Sequence, residues 1–375
     1  METWALDLGT TNSGIARWDD ATGQATLVDL PRVCRLPEGD DPLEAPRMVP
    51  SAVHLIEEPG LVDRLGAWRP LARRVFLGRT ALVGRQALEL NRTTAHPSFA
   101  PGFKAALGAE AARPLARVGR RSISARAVAH AFLRELLAEV KHATGHRVRD
   151  LAVSAPISAF ETYRAEVQRI LRDLGVRTVR FVDEPLAVAL GYGLGVTGET
   201  LVLVVDIGGG TMHTEVVRLT ARGAEGGHAQ VLAKRGRPLG GNAVDSWVLC
   251  DVSARMGYPV DEWADGEEAR FWRRLMLAEA CRVKEAVFFE DNATFLLAPP
   301  GSIGARSTRQ PGASLVTLTR ARLVELLEAN GFYRGLEECF DEMFSGGAVS
   351  VGDLDHVLVV GGSTLLPGIF PLLER

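Results

Sequence analysis

Short β-branched or leucine-rich runs alternate with amphipathic helical stretches along this 375-residue chain, and the alternation predicts an α/β protein. The clearest helix is 124–142, "SARAVAHAFLRELLAEVKH". Ser124 can cap its first turn, and Val128, Phe132, Leu136 and Val140 form one apolar stripe. "LAVSAP" (151–156) reads as a buried strand stopped by proline. The helix after it offers Ser158 and Glu161 as a capping box and Gly175 as its C′ glycine. "TVRFV" is a further strand, and "EPLAVALGYG" a short helix with Pro185 in its first turn. Downstream, "LVLVVDIGGGTMHTEVVRL" (201–219) reads as strand, glycine-rich turn and strand, and residues 242–290 as mainly helical. "TLTRARLVELLE" begins a helix behind a threonine cap, and "HVLVVGGSTLLPGI" (356–369) is a strand opening onto two glycines. The stretch 31–121 is less regular, rich in proline and arginine, and reads as an insertion or subdomain with "PEGDDPLEAP" (37–46) as its exposed loop.

One pattern occurs twice. "WALDLGTT" near the start and "LVVDIGGGT" near the middle share strand, Asp, aliphatic, Gly, small residue and Thr, as two diverged copies of one unit facing each other would. A polyphosphate needs several backbone N–H donors at close range, and glycine lets the backbone approach without a Cβ in the way. The aspartates repel phosphate and make sense only with Mg²⁺ or its water shell between. Asp7 with Thr10 and Thr11, opposed by Asp206 with Gly208, Gly209, Gly210 and Thr211, therefore reads as a two-jawed clamp around Mg²⁺ and phosphates. One half alone would read as a tight hairpin with a satisfied aspartate. The matching second half, and a third glycine pair at a strand end (Gly361, Gly362), favour the clamp.

Other patterns narrow the choice. No GxxxxGK[ST] is present, which excludes a P-loop enzyme, and "GLGVTG" (193–198) follows a helix and precedes a strand, the reverse of a dinucleotide site. His142 and His146 have helical metal-ligand spacing, but Gly145 lies between them and they read as a solvated helix end; "RVGRR" (117–121) reads as a solvated turn. A net charge of −3 with pI near 6.3 provides no global basic field for nucleic acid or an anionic membrane. The longest apolar runs are strand length, no basic and apolar leader opens the chain, and four scattered cysteines lack CxxC spacing. A reducing cytoplasm is the compartment these features predict. Only four of the 43 basic residues are lysines, which reads as genome composition.

These residues carry a family resemblance. "DLGTTNS" (7–13) and "DIGGGT" (206–211) are similar to the two phosphate motifs of the seventy-kilodalton heat-shock (DnaK-like) chaperones. The run 153–194 resembles that family's connecting segment with its Arg–x–x–x–Glu–Pro element, "LGGNAVD" (239–245) its LGG–x–x–x–D element, and "VLVVGGSTLLPGI" its closing motif. The resemblance implies a two-lobed, actin-like ATPase fold, each lobe a ribonuclease H-like mixed sheet flanked by helices. Lobe I would be 1–197 with an insertion at about 48–121, and lobe II 198–375 with an insertion at about 239–314. It further implies ATP or ADP with Mg²⁺ as ligands, Asp7 and Asp206 holding the hydrated metal, and Thr10, Thr11 and Thr211 on the phosphates. Glu184 would orient or activate the attacking water, and Asp7, Asp206 and Thr211 would complete the catalytic set. Gly9, Asn12, Gly208, Gly209, Gly210, Gly240, Gly241, Gly361, Gly362 and Ser363 would line the nucleotide, with Lys284 near the adenosine. Pro156 and Arg164 match the relay from nucleotide state to the peptide domain. A co-chaperone or exchange factor and a separate client-binding module are the implied partners; Arg180 matches a position used by J-domain co-chaperones, while Asp183 and Leu186 depart beside it. The chain ends soon after the last glycine motif, so the family's final helix, linker and peptide-binding domain are expected to be absent.

The departures define a competing expectation. Leu88 stands where the family has a lysine that reaches the γ-phosphate, with Arg85 nearby, and His213 stands where it has a further aspartate. Cys281, Glu285 and Phe288 replace the glutamate, arginine and serine around Lys284. Loss of one electrostatic partner of a transition state commonly costs ~10²–10³ in rate. A pseudo-ATPase that binds nucleotide with little turnover is therefore the alternative to a chaperone-type ATPase. A sugar-kinase relative is disfavoured by "VDEPLAVALGYG", and a filament-forming actin relative is left to sedimentation with ATP.

Overall fold

A computed structural model describes residues 3–35, 48–56, 80–92, 96–156, 161–263, 266–297, 315–347 and 349–375. The chain forms two compact units, Met1–Ala187 with Gly226–His228, and Val188–Glu225 with Ala229–Arg375. The loop 37–46 and Ser158 of the expected capping box lie outside the described residues.

The first unit begins as an antiparallel meander of β1 (Trp4–Leu8), β2 (Asn12–Asp19) and β3 (Gln24–Leu27). The pleat of β1 buries Trp4, Leu6 and Leu8 and turns Asp7 to the opposite, exposed face. Strand β4 (Val49–Pro50) pairs with the start of β2. Strands β5 (Ala52–Leu55), β6 (Ala81–Val83) and β7 (Phe99–Pro101) form a small separate sheet, and β8 (Pro114–Val118) and β9 (Arg121–Ser124) a hairpin. The "RVGRR" run is the tip of that hairpin, where Gly119 takes a positive φ of 56°. Strand β10 (Asp150–Ala155) then lies parallel to β1, and β11 (Thr178–Asp183) parallel to β10. Helix Ala125–Thr144 is capped by Ser124, whose Oγ accepts from the Ala127 amide at 3.3 Å, and its apolar stripe is buried. It ends at Gly145 in the left-handed region, so His142 lies in its last turn and His146 beyond its end. Helix Glu161–Asp173 likewise stops before Gly175, with φ +90°, and the Val176 amide closes on the Leu171 carbonyl at 3.0 Å.

The second unit repeats the plan. Strands β12 (Thr200–Ile207), β13 (Met212–Leu219) and β14 (Gln230–Arg237) form an antiparallel meander. Strands β15 (Asn292–Phe295) and β16 (Val316–Thr319) pair apart from it, and β17 (His356–Val360) lies parallel to β12. In both units the first strand of the meander thus has a parallel strand on its other side, so the echo in the sequence is also an echo in topology. Helices Gly241–Arg255 and Glu267–Phe289, with Arg320–Ala329 behind the Thr319 cap, supply the expected helical stretches. The "GLGVTG" segment is the connection from helix Glu184–Gly191 to β12. Each unit has its own apolar core, built around Leu6, Phe103 and Phe132 in the first and Ile207, Met276 and Phe295 in the second. Among the described residues, no helix is long and apolar enough to cross a membrane.

Candidate functional site

In the first unit the turn after β1 needs glycine at position 9, because an added Cβ would lie 2.0 Å from the Asn12 carbonyl oxygen. Thr10 and Thr11 are exposed at its tip. Ser51 fastens the turn from beneath: its Oγ donates to the Gly9 carbonyl at 2.7 Å and its amide to the Thr11 carbonyl at 2.8 Å. With the Ser51 proton so committed, Ser13 donates to Ser51 Oγ across 2.8 Å. Asn12 Oδ1 accepts from Arg35 Nε at 3.0 Å, and Asp7 Oδ1 from Ser154 Oγ at 2.6 Å.

Glu184 is the first residue of its helix, directly after β11, a position where a carboxylate gains from the helix dipole. Lys104 Nζ donates to its Oε1 at 2.8 Å. The same ammonium stands 5.8 Å from the ring centroid of Tyr163, a fully buried side chain on helix Glu161–Asp173. Burial, reinforced by the Glu184 and Asp7 carboxylates, pushes the Tyr163 phenol well above its ordinary range and keeps it protonated. Arg164, one residue on, is ion-paired with buried Asp183 and packs its guanidinium 5.7 Å from the Phe181 ring. The residue predicted to relay thus grips the residue next to Glu184. Asp183 also donates its amide to the Gly227 carbonyl at 3.0 Å. Pro156 follows β10 immediately.

In the second unit Asp206 is again the penultimate residue of its strand, and Gly208–Thr211 form the turn, closed by the Gly208 amide on the Thr211 carbonyl at 2.9 Å. Loop Gly240–Gly241 is pressed against this turn. The Gly241 amide donates to the Gly208 carbonyl at 3.0 Å and the Asn242 amide to the Gly209 carbonyl at 2.7 Å. A Cβ on Gly240 would come within 2.6 to 2.8 Å of three backbone atoms of the turn. Gly361, after β17, adopts φ +92°, and a Cβ there would sit 2.4 Å from the Ile207 carbonyl oxygen and 2.7 Å from Asp206 Oδ1. Buried Ser363 donates to the Gly208 carbonyl at 3.0 Å. Gly210 and Gly362 present open faces, with no heavy atom within 4 Å of a built Cβ. The structure therefore brings Asp206, Gly208 to Thr211, Gly240, Gly241, Gly361 and Ser363 to one place. Lys284 lies beneath them, 4% exposed, with Nζ 2.7 Å from Asp245 Oδ1 and 3.4 Å from the Gly241 carbonyl.

The departures have structural partners too. His213 stands opposite Asp206 in the β12–β13 register and opposite Gly236 in β14. A Cβ on Gly236 would meet His213 Cδ2 at 2.5 Å, so the missing side chain makes room for the imidazole. Burial, with Lys234 nearby, holds this imidazole below its ordinary range. Cys281 and Glu285 turn toward each other, Sγ to Oε1 at 3.5 Å, and burial pushes the thiol up to about 12. Leu88 is an exposed side chain on helix Arg85–Leu90, and Arg85 is spent on structure, donating to the Cys34 and Pro31 carbonyls and to Glu89. Lys104, Tyr163, Ser154 and Ser51 were not picked out by motif. The only signal for Lys104 in the sequence is that it is one of four lysines among 43 basic residues.

Two sheets of one plan, each leading an aspartate-bearing strand into an exposed glycine and threonine turn, are the construction of the actin-like ATPase fold. Each turn follows an aspartate with exposed threonine hydroxyls, and the second adds the open backbone of Gly210, a donor set that fits phosphate together with a magnesium ion that keeps most of its water. The Hsp70 protein family model matches residues 81–375, and the chain belongs to that family. A chaperone protein HscA homolog of Shewanella putrefaciens is 26% identical over 372 residues, covering 96% of this chain and 52% of that protein. A chaperone protein DnaK of Deinococcus radiodurans is 26% identical over 383 residues, covering 98% of this chain and 54% of that one. The HscA homolog of Acidithiobacillus ferrooxidans is 27% identical over 250 residues, 65% of this chain and 36% of its own length. The chain spans about half the length of most of these relatives, and corresponds to the family's nucleotide-binding domain.

Proposed function

We propose that this chain binds ATP and hydrolyses it to ADP and phosphate, its nucleotide state being read by a partner. The observation that carries the proposal is the recurrence, in each unit, of the same aspartate-bearing hairpin beside a parallel strand. In this reading Thr10, Thr11 and Thr211 and the backbone of Gly9 and Gly208–Gly210 contact the phosphates. Gly240, Gly241, Gly361, Gly362 and Ser363 line the rest of the nucleotide, and Lys284 supports that wall from beneath. Magnesium, held through water by Asp7 and Asp206, would neutralise charge on the outer phosphates. A water oxygen forms the new bond to the γ-phosphorus. The bond to the β-phosphate breaks with its electron pair leaving on ADP, and the water proton goes to Glu184.

The Arg164–Asp183 pair, next in sequence to Glu184, supports a relay from that carboxylate toward Pro156. Domain boundaries at 1–197 and 198–375, a co-chaperone or exchange factor, a separate client-binding module and a cytoplasmic setting belong to the same proposal. Calorimetric titration with Mg·ATP and Mg·ADP, then single-turnover hydrolysis on the same sample, tests it. Tight binding is expected, with turnover abolished in Glu184→Ala and affinity weakened in Asp7→Ala and Asp206→Ala. Binding without turnover would leave a nucleotide-reading protein and remove the hydrolase. Unchanged Mg·ATP affinity in both aspartate variants would remove the assigned phosphate turns.

A further inference from the structure

Position 88 carries no charge, yet Glu184 has a cation against it. Lys104 reaches it from helix Phe103–Ala109, and that helix is mounted on the first phosphate turn itself. Gly102 begins it in the left-handed region, with its built Cβ 3.6 Å from the Thr10 carbonyl oxygen. The Gly102 amide donates at 2.9 Å to the carbonyl of Ser51, the same serine that bonds Gly9 and Thr11. Behind Lys104, Phe103 is fully buried with its ring 5.0 Å from that of Phe132. The ammonium is therefore held by a short rigid path to the residues that would meet the phosphates, and its side chain is only 12% exposed.

Tyr163 is the second observation. It is 1% exposed, its ring faces the same ammonium, and among the described residues its hydroxyl finds no hydrogen-bond partner. A buried donor left without a partner is destabilising, and a fold keeps one when the group has another use. The same Lys104 ammonium thus touches both the Glu184 carboxylate and the face of this ring, which places the tyrosine beside the pair.

We propose that Lys104 is the positioning cation of this site. It holds the Glu184 carboxylate in place and sets a positive charge beside the transferring phosphoryl group, while the Tyr163 hydroxyl donates to the water or oxygen between them. The family's position 88 is thereby replaced in function by a lysine from the next helix. The inference rests on the ATPase reading above.

The test is single-turnover hydrolysis, with ATP affinity measured separately by calorimetry, for the parent chain and for Lys104→Met, Lys104→Gln, Lys104→Arg and Tyr163→Phe. Lys104→Met and Lys104→Gln should slow the chemical step by ~10²–10³ with ATP affinity changed far less, and Lys104→Arg should recover most of the rate. Should the methionine variant fail to fold, the glutamine and arginine pair gives the same comparison. Tyr163→Phe should slow hydrolysis while leaving unfolding stability equal or higher, a combination that a purely structural tyrosine would not give. If the parent turns over and Lys104→Gln matches it, the role of Lys104 is wrong and the ATPase reading stands. Parental turnover in Tyr163→Phe removes the tyrosine from the proposal. If the parent neither binds nor hydrolyses ATP, both readings fall together.

Discussion

Lysine is so scarce in this chain that its placement is informative. Of the four, Lys104 is bound to Glu184, Lys284 to Asp245 under the Gly240–Gly241 loop, and Lys234 to Glu215 on the strand that carries His213. In each case the ammonium, with three donors set about a point, meets a single carboxylate. Histidine tells a second residue-scale story. His54 is held below its ordinary range by burial and by neighbouring His96, despite its bond to Asn91, and His213 by burial and by Lys234. The unfolded chain then takes up protons that the native chain refuses. Stability is full above the ordinary imidazole pKa of about 6.5 and is lost as pH falls through the lowered native values. Urea midpoints at about pH 7.5 and about pH 5.5 should show this loss, and replacing both histidines with asparagine should flatten it. An equal loss in that double variant would assign the effect to other groups.

At the scale of elements, three separate segments of the second unit meet over the strand end at Asp206: the Gly208–Thr211 turn, the Gly240–Gly241 loop and the Gly361–Ser363 turn. At Gly240 and Gly361 the backbones lie too close for a side chain. Gly361→Ala should therefore cost about 1–3 kcal/mol in backbone strain, more if the Ile207 carbonyl cannot move, and should displace Asp206. Chemical denaturation would show the lower stability, and calorimetry a weaker Mg·ATP affinity. Gly362→Ala, where the space is open, serves as the control and should keep its stability. The first-unit turn is fastened by different chemistry, with Ser51 and Ser13 doing by side chain what the glycine loops do by backbone.

For the molecule as a whole, two separate cores make a single all-or-none transition unnecessary. Phe132→Ala, in the first core, should remove about 3–5 kcal/mol, and Met276→Ala, in the second, about 2–5 kcal/mol. Followed by circular dichroism in urea, each substitution should move its own part of the unfolding curve earlier. Identical displacement of one cooperative curve by both would mean that the units unfold as one.

The local plan was legible in the sequence because it rests on short-range rules. Apolar spacing gave helix Ala125–Thr144, the Ser124 and Thr319 caps lie where their hydroxyls can reach a free amide, and the repeated strand, Asp, Gly and Thr pattern proved to be two hairpins of one design. What the sequence left open was which distant side chains meet. Lys104 and Glu184 are 80 residues apart, and neither lies in a pattern that names the other. Arg85 was a candidate by proximity to position 88, and its bonds to the Cys34 and Pro31 carbonyls withdraw it. Asp183, a departure from its family's pattern, became intelligible once Arg164 was found against it. Periodicity fixes which face of an element turns inward. Only the packing of those faces decides which charges are left close enough to act on one another.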